Sequence, residues 1–274
     1  MIERTIVITG ASDGIGAAAA RQLHADGQRV VLVGRSEEKT RAIATELGVD
    51  YHLADFSRLA DVRALAATLL ERYPRIDVLA NNAGGIMGDR VVTEDGHELT
   101  FQVNHLAPFL LTTLLMDRLV ASRATVINTA SVAARVFAKF DIDDLDLENN
   151  YSANAAYGNA KLANILFTHE LDRRFGASGI SSAAFHPGVV GTSFAAQSTG
   201  ALRHLYTGLF ARFLLTPAKG ADTLIWLANG TPGTVWQSGN FYTKRKIART
   251  NPLADDAVLA AQLWNRSAQM VHID

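Results

Sequence analysis

Seven short apolar runs, each separated from the next by a longer stretch of helical pattern, restrict this chain more than any other feature. The runs cover residues 4–9, 29–33, 49–53, 76–80, 125–129, 180–185 and, more briefly, 240–243. Helical patterning fills 15–26, 37–47, 58–72, 97–120, 154–175, 217–229 and 254–268. Strands that are apolar throughout must be covered on both faces, and strands that alternate with helices pair in parallel. The chain is therefore expected to be α/β, with one doubly wound Rossmann sheet of seven parallel strands and helices on both faces. No linker, repeat or low-complexity segment breaks the pattern, so a single domain is expected over residues 1–274.

Composition excludes several classes. The 274 residues are 48% hydrophobic, enough for a large core, and the net charge of −1 points to neither nucleic acid nor an anionic membrane as a partner. Cysteine is absent, which removes disulfides, thiolate metal sites and a cysteine nucleophile and fits a cytoplasmic location. The opening MIERTIVITG runs straight into a strand and a glycine turn, so no signal peptide is expected. No apolar run is long and uninterrupted enough to predict a transmembrane segment.

The first strand ends in TGASDGIG, residues 9–16, and an alanine-rich helix follows. Gly10 permits the tight turn, Gly14 lets backbone approach a ligand, and Gly16 lets helix pack on strand. With Ser12, Asp13 and Ile15 they would present free N–H groups to a pyrophosphate. A plain glycine turn is the competing reading; the strand before and the helix after favour a dinucleotide. The second strand ends in Gly34, Arg35 and Ser36, where an NAD site would carry an acid. An Arg suits a ribose 2′-phosphate, so NADP(H) is preferred and NAD(H) remains open. A surface pair of Arg35 with Glu37 or Glu38 is the alternative. Asp13 argues against strict NADP selectivity, since it sets a carboxylate in the phosphate-binding turn.

These motifs resemble the short-chain dehydrogenases/reductases, in their compact single-domain branch. TGASDGIG, Asp55, NNAG at 81–84, Asn104, Ser131, Tyr157 with Lys161, and PGVVGT at 187–192 stand in the family's order across nearly the whole chain. FDIDDLDLE, AAYGNAKLANILFTHELDRRF, HPGVVGT and SGNFYTKRK look most like the retinol dehydrogenase and WW-domain oxidoreductase group. The resemblance implies that Asp55, with Phe56 beside it, meets the adenine and that Asn82, Ala83 and Gly84 line the adenosine side. Asn81 belongs to the same stretch, so it too would line the adenosine side, and the stretch would steady the central sheet. Pro187, Gly188, Val190 and Thr192 would hold the nicotinamide end and phosphate. Ser131 would orient the substrate oxygen. Asn104 would hold a water leading from Lys161 to solvent. Pro108, four residues on, crowds the Asn104 carbonyl, so a local kink is expected. Family members pair their 97–120 and 154–175 helices across a two-fold axis, which implies a homo-oligomer.

Tyr157 and Lys161 lie one helical turn apart, on one face. A phenol titrates near ~10, and bringing it to neutrality needs about 4 kcal/mol of differential stabilisation. The Lys161 charge favours phenolate, as would an oxidised nicotinamide. By the resemblance Lys161 also bonds the nicotinamide ribose. Tyr157 then serves as general acid in reduction and general base in oxidation.

Other features read as bland. His169-Glu170 lacks the second His of a zinc motif, and no metal is expected. His186 reads as a loop hydrogen-bonder. The acidic run from Asp141 to Glu148 lacks the glycine and closing Glu of an EF-hand and reads as a solvated loop. Lys244, Arg245, Lys246 and Arg249 read as a solvated turn. Residues 192–217 match the family's substrate lid. There Leu202, Leu205, Tyr206, Leu209, Phe210, Phe213 and Leu214 recur at helical spacing, as in a core or oligomer stripe, yet they are also the groups a lid would offer a lipophilic substrate. The expected function is an NADP(H)-dependent oxidoreductase acting on a small lipophilic carbonyl or alcohol. The rival is a non-catalytic NADP(H)-binding sensor or scaffold, which would need the glycine turn but not Tyr157.

Overall fold

The computed structural model describes residues 3–190 and 215–273. Its strands are β1 Thr5–Thr9, β2 Arg29–Gly34, β3 Tyr51–Leu53, β4 Val78–Asn81, β5 Thr125–Thr129, β6 Ser181–His186, β7 Asn240–Thr243 and β8 Lys246–Ile247. They form one sheet in the order β3-β2-β1-β4-β5-β6-β7-β8. The direction of strand order reverses between β1 and β4, and ligands bind outside the carboxyl ends of strands at such a point.

The period of two along each strand sorts side chains between two cores. Ile6, Ile8, Val30 and Leu32 face the layer of α1 (Gly14–Ala25), α2 (Glu37–Leu47) and α9 (Pro217–Asn229), whereas Val7, Val31 and Val33 face the other. That second layer holds α3 (Leu59–Arg72), α5 (Ala107–Leu114), the short α7 (Ala133–Val136), α8 (Ala153–Phe175) and α10 (Ala257–Met270). Buried Ala17, Ala19 and Ala20 bring α1 close to the sheet, so the glycine turn ahead of it sits directly over the strand ends.

The sheet has eight strands among the described residues, where seven were expected. The eighth exists because Lys244 and Arg245 adopt φ of 52° and 62°, the left-handed pair of a two-residue hairpin, and β8 returns antiparallel to β7. The basic cluster is thus a turn, and Arg245 Nε bonds Asp222 at 2.8 Å.

The single helix expected over 97–120 is also corrected. It is α4 (Leu99–Phe101), a π-helical turn Gln102–Leu106, α5, and α6 (Met116–Ser122). The cause is Pro108, which has no N–H to give its helix partner. The Ala107 N–H reaches back to the Gln102 carbonyl across the wider turn. The run then bends by 65° before α6. No single helix among the described residues is long and apolar enough to cross a membrane.

Helix α10 closes the second layer. Its Trp264 ring lies 5.1 Å from Phe109 of α5, 5.6 Å from Phe167 and 5.9 Å from Phe175 of α8, with the Arg174 guanidinium 4.7 Å over its face. Residues 107–112 of α5 and 155–168 of α8 are all buried within the chain. Among the described residues, α10 covers part of these two helices.

Candidate active site

The cleft begins at the turn after β1. Gly10 and Gly14 have φ of +65° and +54°, the left-handed region that a side chain disfavours. A Cβ on Gly16 would lie 2.2 Å from the Gly10 carbonyl, so helix and turn touch backbone to backbone. The turn after β4 is tied to this one. Asn82 Nδ2 donates to the Thr9 carbonyl at 3.0 Å, while the Asn82 and Ala83 N–H groups donate to Thr9 Oγ1. Asn81 stays inside the sheet, its Nδ2 on Thr112 and Asn128, whereas Asn82, Ala83 and Gly84 line the cleft.

Arg35 and Ser36 line the cleft at the end of β2, and Ser36 caps α2. Lys39 joins them, a residue the sequence reading missed although it stands one helical turn after Arg35. Its Nζ lies 3.3 Å from Asp13 Oδ2, and Asp13 Oδ1 accepts the Gly14 N–H at 2.7 Å. The Asp13 carboxylate therefore caps α1 and is offset by a cation, which weakens the objection to a phosphate nearby. Asp55 and Phe56 line the adjoining wall, with Asp55 Oδ1 held by Ser57.

Tyr157 on α8 and Ser131 after β5 face the same cleft and are 8% and 9% exposed. The Ser131 hydroxyl accepts the Ala133 N–H at 3.2 Å, which orients it. Lys161 lies behind the wall, 1% exposed, with Nζ 5.4 Å from the centre of the Tyr157 ring. Nζ donates to the Thr129 carbonyl at 3.0 Å. Burial lowers its pKa to about 7. Gly84 is what lets this corner close: a Cβ there would lie 2.4 Å from Asn104 Oδ1 and 3.4 Å from Lys161 Nζ.

Asn104 also sits behind the wall. Its side chain bonds Gly85 and Thr100, and its carbonyl accepts from Asn164 Nδ2 at 3.0 Å. His186 corrects the expectation of a loop hydrogen-bonder. It ends β6, is 9% exposed, and its Nδ1 has no partner among the described residues. Burial lowers its pKa to about 4. No sequence pattern flags such an orphan. Pro187, Gly188 and Val190 line the cleft beside it. Thr192 and the stripe from Leu202 to Leu214 lie outside the described residues. The acidic run borders a separate hollow, where Asp146 bonds His97 and the Glu98 N–H.

The cleft holds about 650 Å³. One end is lined by Ile86, Met87, Val132, Val136, Phe137 and Val189, with Val136 65% exposed. A dinucleotide fits what the residues present. Gly10 and Gly14 leave room for phosphate, Arg35 and Lys39 supply cations, and Thr129 and His186, whose Oγ1 and Nδ1 are buried without partners among the described residues, are cleft residues. The arrangement can hold a nucleotide along the strand ends and set a phenol and a hydroxyl beside its far end.

The short chain dehydrogenase family matches residues 4–202. A protein of Streptomyces sp. (strain C5), assigned by name as daunorubicin C-13 ketoreductase DnrU, is 43% identical over 275 residues, covering 98% of this chain and 92% of its own. Human retinol dehydrogenase 12 is 37% identical over 278 residues, covering 98% and 87%. A crystal structure of an uncharacterised protein from Mycobacterium paratuberculosis superposes with a TM-score of 0.79 at 30% identity, covering 99% and 94%.

Proposed function

Because the chain belongs to the short-chain dehydrogenase family and is an oxidoreductase, we propose that it is an NADP(H)-dependent reductase of lipophilic ketones and aldehydes, or the matching alcohol dehydrogenase. The observation that carries this reading is the convergence of Ser131 and Tyr157 on one cleft, with the Lys161 ammonium behind Tyr157 and the glycine turn of β1 at the other end.

The nicotinamide supplies or accepts the hydride when bound. The protein's residues do the rest. Gly10 to Gly16 receive the pyrophosphate at the head of α1, and Arg35 with Lys39 receives the 2′-phosphate. Ser131 donates its hydroxyl hydrogen to the substrate oxygen and so fixes it beside Tyr157. Tyr157 gives its proton to that oxygen in reduction and takes it back in oxidation. Lys161 favours the phenolate by its charge and bonds the ribose on the cofactor side. Ile86, Val132, Val136, Phe137 and Val189 exclude water from the reacting carbon and select an apolar body.

The relatives named for a ketone and for retinol support the carbonyl-alcohol pair. The exposed apolar rim at Val136 and Phe137 supports a lipophilic substrate. The lid proposed at 192–217 would complete that rim, within one domain spanning the chain. The absence of cysteine supports a cytoplasmic location. A homo-oligomer is the assembly the family resemblance implies. The test is NADPH and NADH consumption by the purified protein with a panel of ring, long-chain and short polar carbonyls. NADPH-dependent turnover that increases with apolar size supports the reading. Binding of NADPH with no turnover on any carbonyl or alcohol would turn it toward a cofactor sensor.

A further inference from the structure

A chain of buried hydrogen bonds runs from Lys161 away from the cleft. The Thr129 carbonyl that accepts Lys161 Nζ at 3.0 Å also accepts Asn164 Nδ2 at 3.1 Å. The same Asn164 nitrogen donates to the Asn104 carbonyl at 3.0 Å. Asn164 Oδ1 faces His105 Nδ1 at 3.2 Å, and His105 Nε2 faces Ser267 Oγ of α10 at 2.9 Å. Asn104, His105 and Ser267 are 0% exposed and Asn164 3%.

The direction of every bond follows from chemistry. Two carbonyls claim Asn164 Nδ2, and carbonyls only accept. Its Oδ1 is therefore the acceptor turned to His105, so His105 Nδ1 carries the hydrogen. Burial keeps that imidazole neutral, with a pKa lowered to about 4. Nε2 is then a lone pair, and Ser267 must donate to it. The vacancy that Asn164 fills is made by Pro108, whose missing N–H leaves the Asn104 carbonyl without its helical donor. The water that the resemblance implied at Asn104 thus meets a carbonyl that already accepts an amide.

We propose that Asn164, oriented by His105 and Ser267, is a positioning residue that pins the Thr129 carbonyl seating Lys161 and so couples α10 to the catalytic centre. The proposal rests on the role given to Lys161 above. Without the amide, two carbonyls from β5 and from the π-helical turn face each other with no shared donor. The strand end shifts, Lys161 loses its fixed acceptor, and its charge acts less on Tyr157. Removing Ser267 works from a distance. His105 Nε2 is then left without a donor, and the imidazole that orients the Asn164 amide is held from one side only. Other titratable groups around this part of the fold are Glu98 at the head of α4, which caps Thr100 and Phe101, and His186 at the end of β6, held near 4 by burial.

The test compares Asn164→Leu, Ser267→Ala and Ser267→Thr with the parent chain in NADP-dependent alcohol oxidation from acid to alkaline pH. The first two are expected to move the acid limb of kcat upward by about one pH unit and to cut kcat near neutrality by about tenfold. KM for the alcohol stays within about twofold, NADPH affinity falls less than in Lys161→Met, and Ser267→Thr, which keeps the hydroxyl, restores the parent profile. An unchanged acid limb with only a lower unfolding midpoint would overturn the proposal and leave the network as packing. If Asn164→Leu does not fold, the Ser267 pair decides. Imidazole 15N shifts give a readout that needs no turnover: hydrogen on Nδ1 of His105 in the parent chain supports the network, and hydrogen on Nε2 overturns it. A parent chain with no turnover sinks the functional reading alone, and the 15N shifts still decide the network.

Discussion

The Lys161 ammonium lies 5.4 Å from the centre of the Tyr157 ring and is seated on the Thr129 carbonyl, out of reach of solvent. One side chain thus meets two opposed demands. Its charge favours the phenolate, and its burial disfavours that charge. A cation held there is a cost to the fold accepted for chemistry.

That opposition has a measurable sign. Lys161 titrates at about 7 in the folded protein against 10.5 for the free group, so the unfolded chain binds more protons between those values. Its contribution to stability therefore rises with pH through that window, and the penalty is present in full below pH ~7. Lys161→Met should raise the unfolding free energy of the cofactor-free protein at pH 7, read by urea titration, by on the order of a few kcal/mol less the lost Thr129 bond, and should flatten the alkaline rise. It should also abolish turnover and weaken NADPH binding. A less stable variant with the parent pH slope would contradict the burial penalty.

Arg35 and Lys39 divide the 2′-phosphate between them. Arg35→Ala should weaken NADPH binding by about 1.5–3 kcal/mol and NADH binding little, since only the former carries the phosphate. Lys39→Ala should act in the same direction, less strongly, because Lys39 also pairs with Asp13. Fluorescence titration of both cofactors decides this. Equal loss for the two cofactors would make Arg35 structural.

Gly84→Ala would drive a methyl onto Asn104 Oδ1, which is already fixed by the Gly85 N–H. The expected cost is about 1–3 kcal/mol of stability, with loss of kcat as the Lys161 corner opens. Unfolding and steady-state rates measured together should fall together; full activity at lowered stability would separate Gly84 from the site.

Much of this was readable beforehand, and the failures share a cause. The helices at 37–47 and 217–229 and the strand at 125–129 matched to the residue, because Ser36, Thr216 and the apolar runs are local signals. The glycine turn is a local signal too, whereas Ser131 and Tyr157 stood out by their place in the family's motif order; all of them line one cleft. The helix over 97–120 was not legible. Pro108 announced a disturbance, but the donor that meets the Asn104 carbonyl is Asn164, 60 residues away. Likewise nothing near 109 or 167 announces that Trp264 will cover them. His186 Nδ1 and Thr129 Oγ1 lack partners only in the folded surroundings of the cleft, which no local pattern encodes. Lys39 is different, since its place one turn after Arg35 was visible and was passed over.

The apolar rim predicts selectivity. Val136→Ser should lower kcat/KM for ring and long-chain carbonyls by up to about tenfold, with little effect on short polar ones. Each methylene added to a parent substrate should gain up to ~0.8 kcal/mol until the pocket fills. A kinetic series on both proteins checks this. Preference for small charged or sugar-like carbonyls would confine the rim to packing.

The central claim is that the Tyr157 hydroxyl moves the proton, and Tyr157→Phe tests it most directly. The substitution removes one oxygen and leaves the ring that packs against Ile86 and Ala133. NADPH-dependent reduction of a ring ketone should fall by about 10²–10⁴-fold, while NADPH affinity from fluorescence titration stays within about threefold of the parent. Turnover within about tenfold of the parent, with cofactor still bound, would contradict the account.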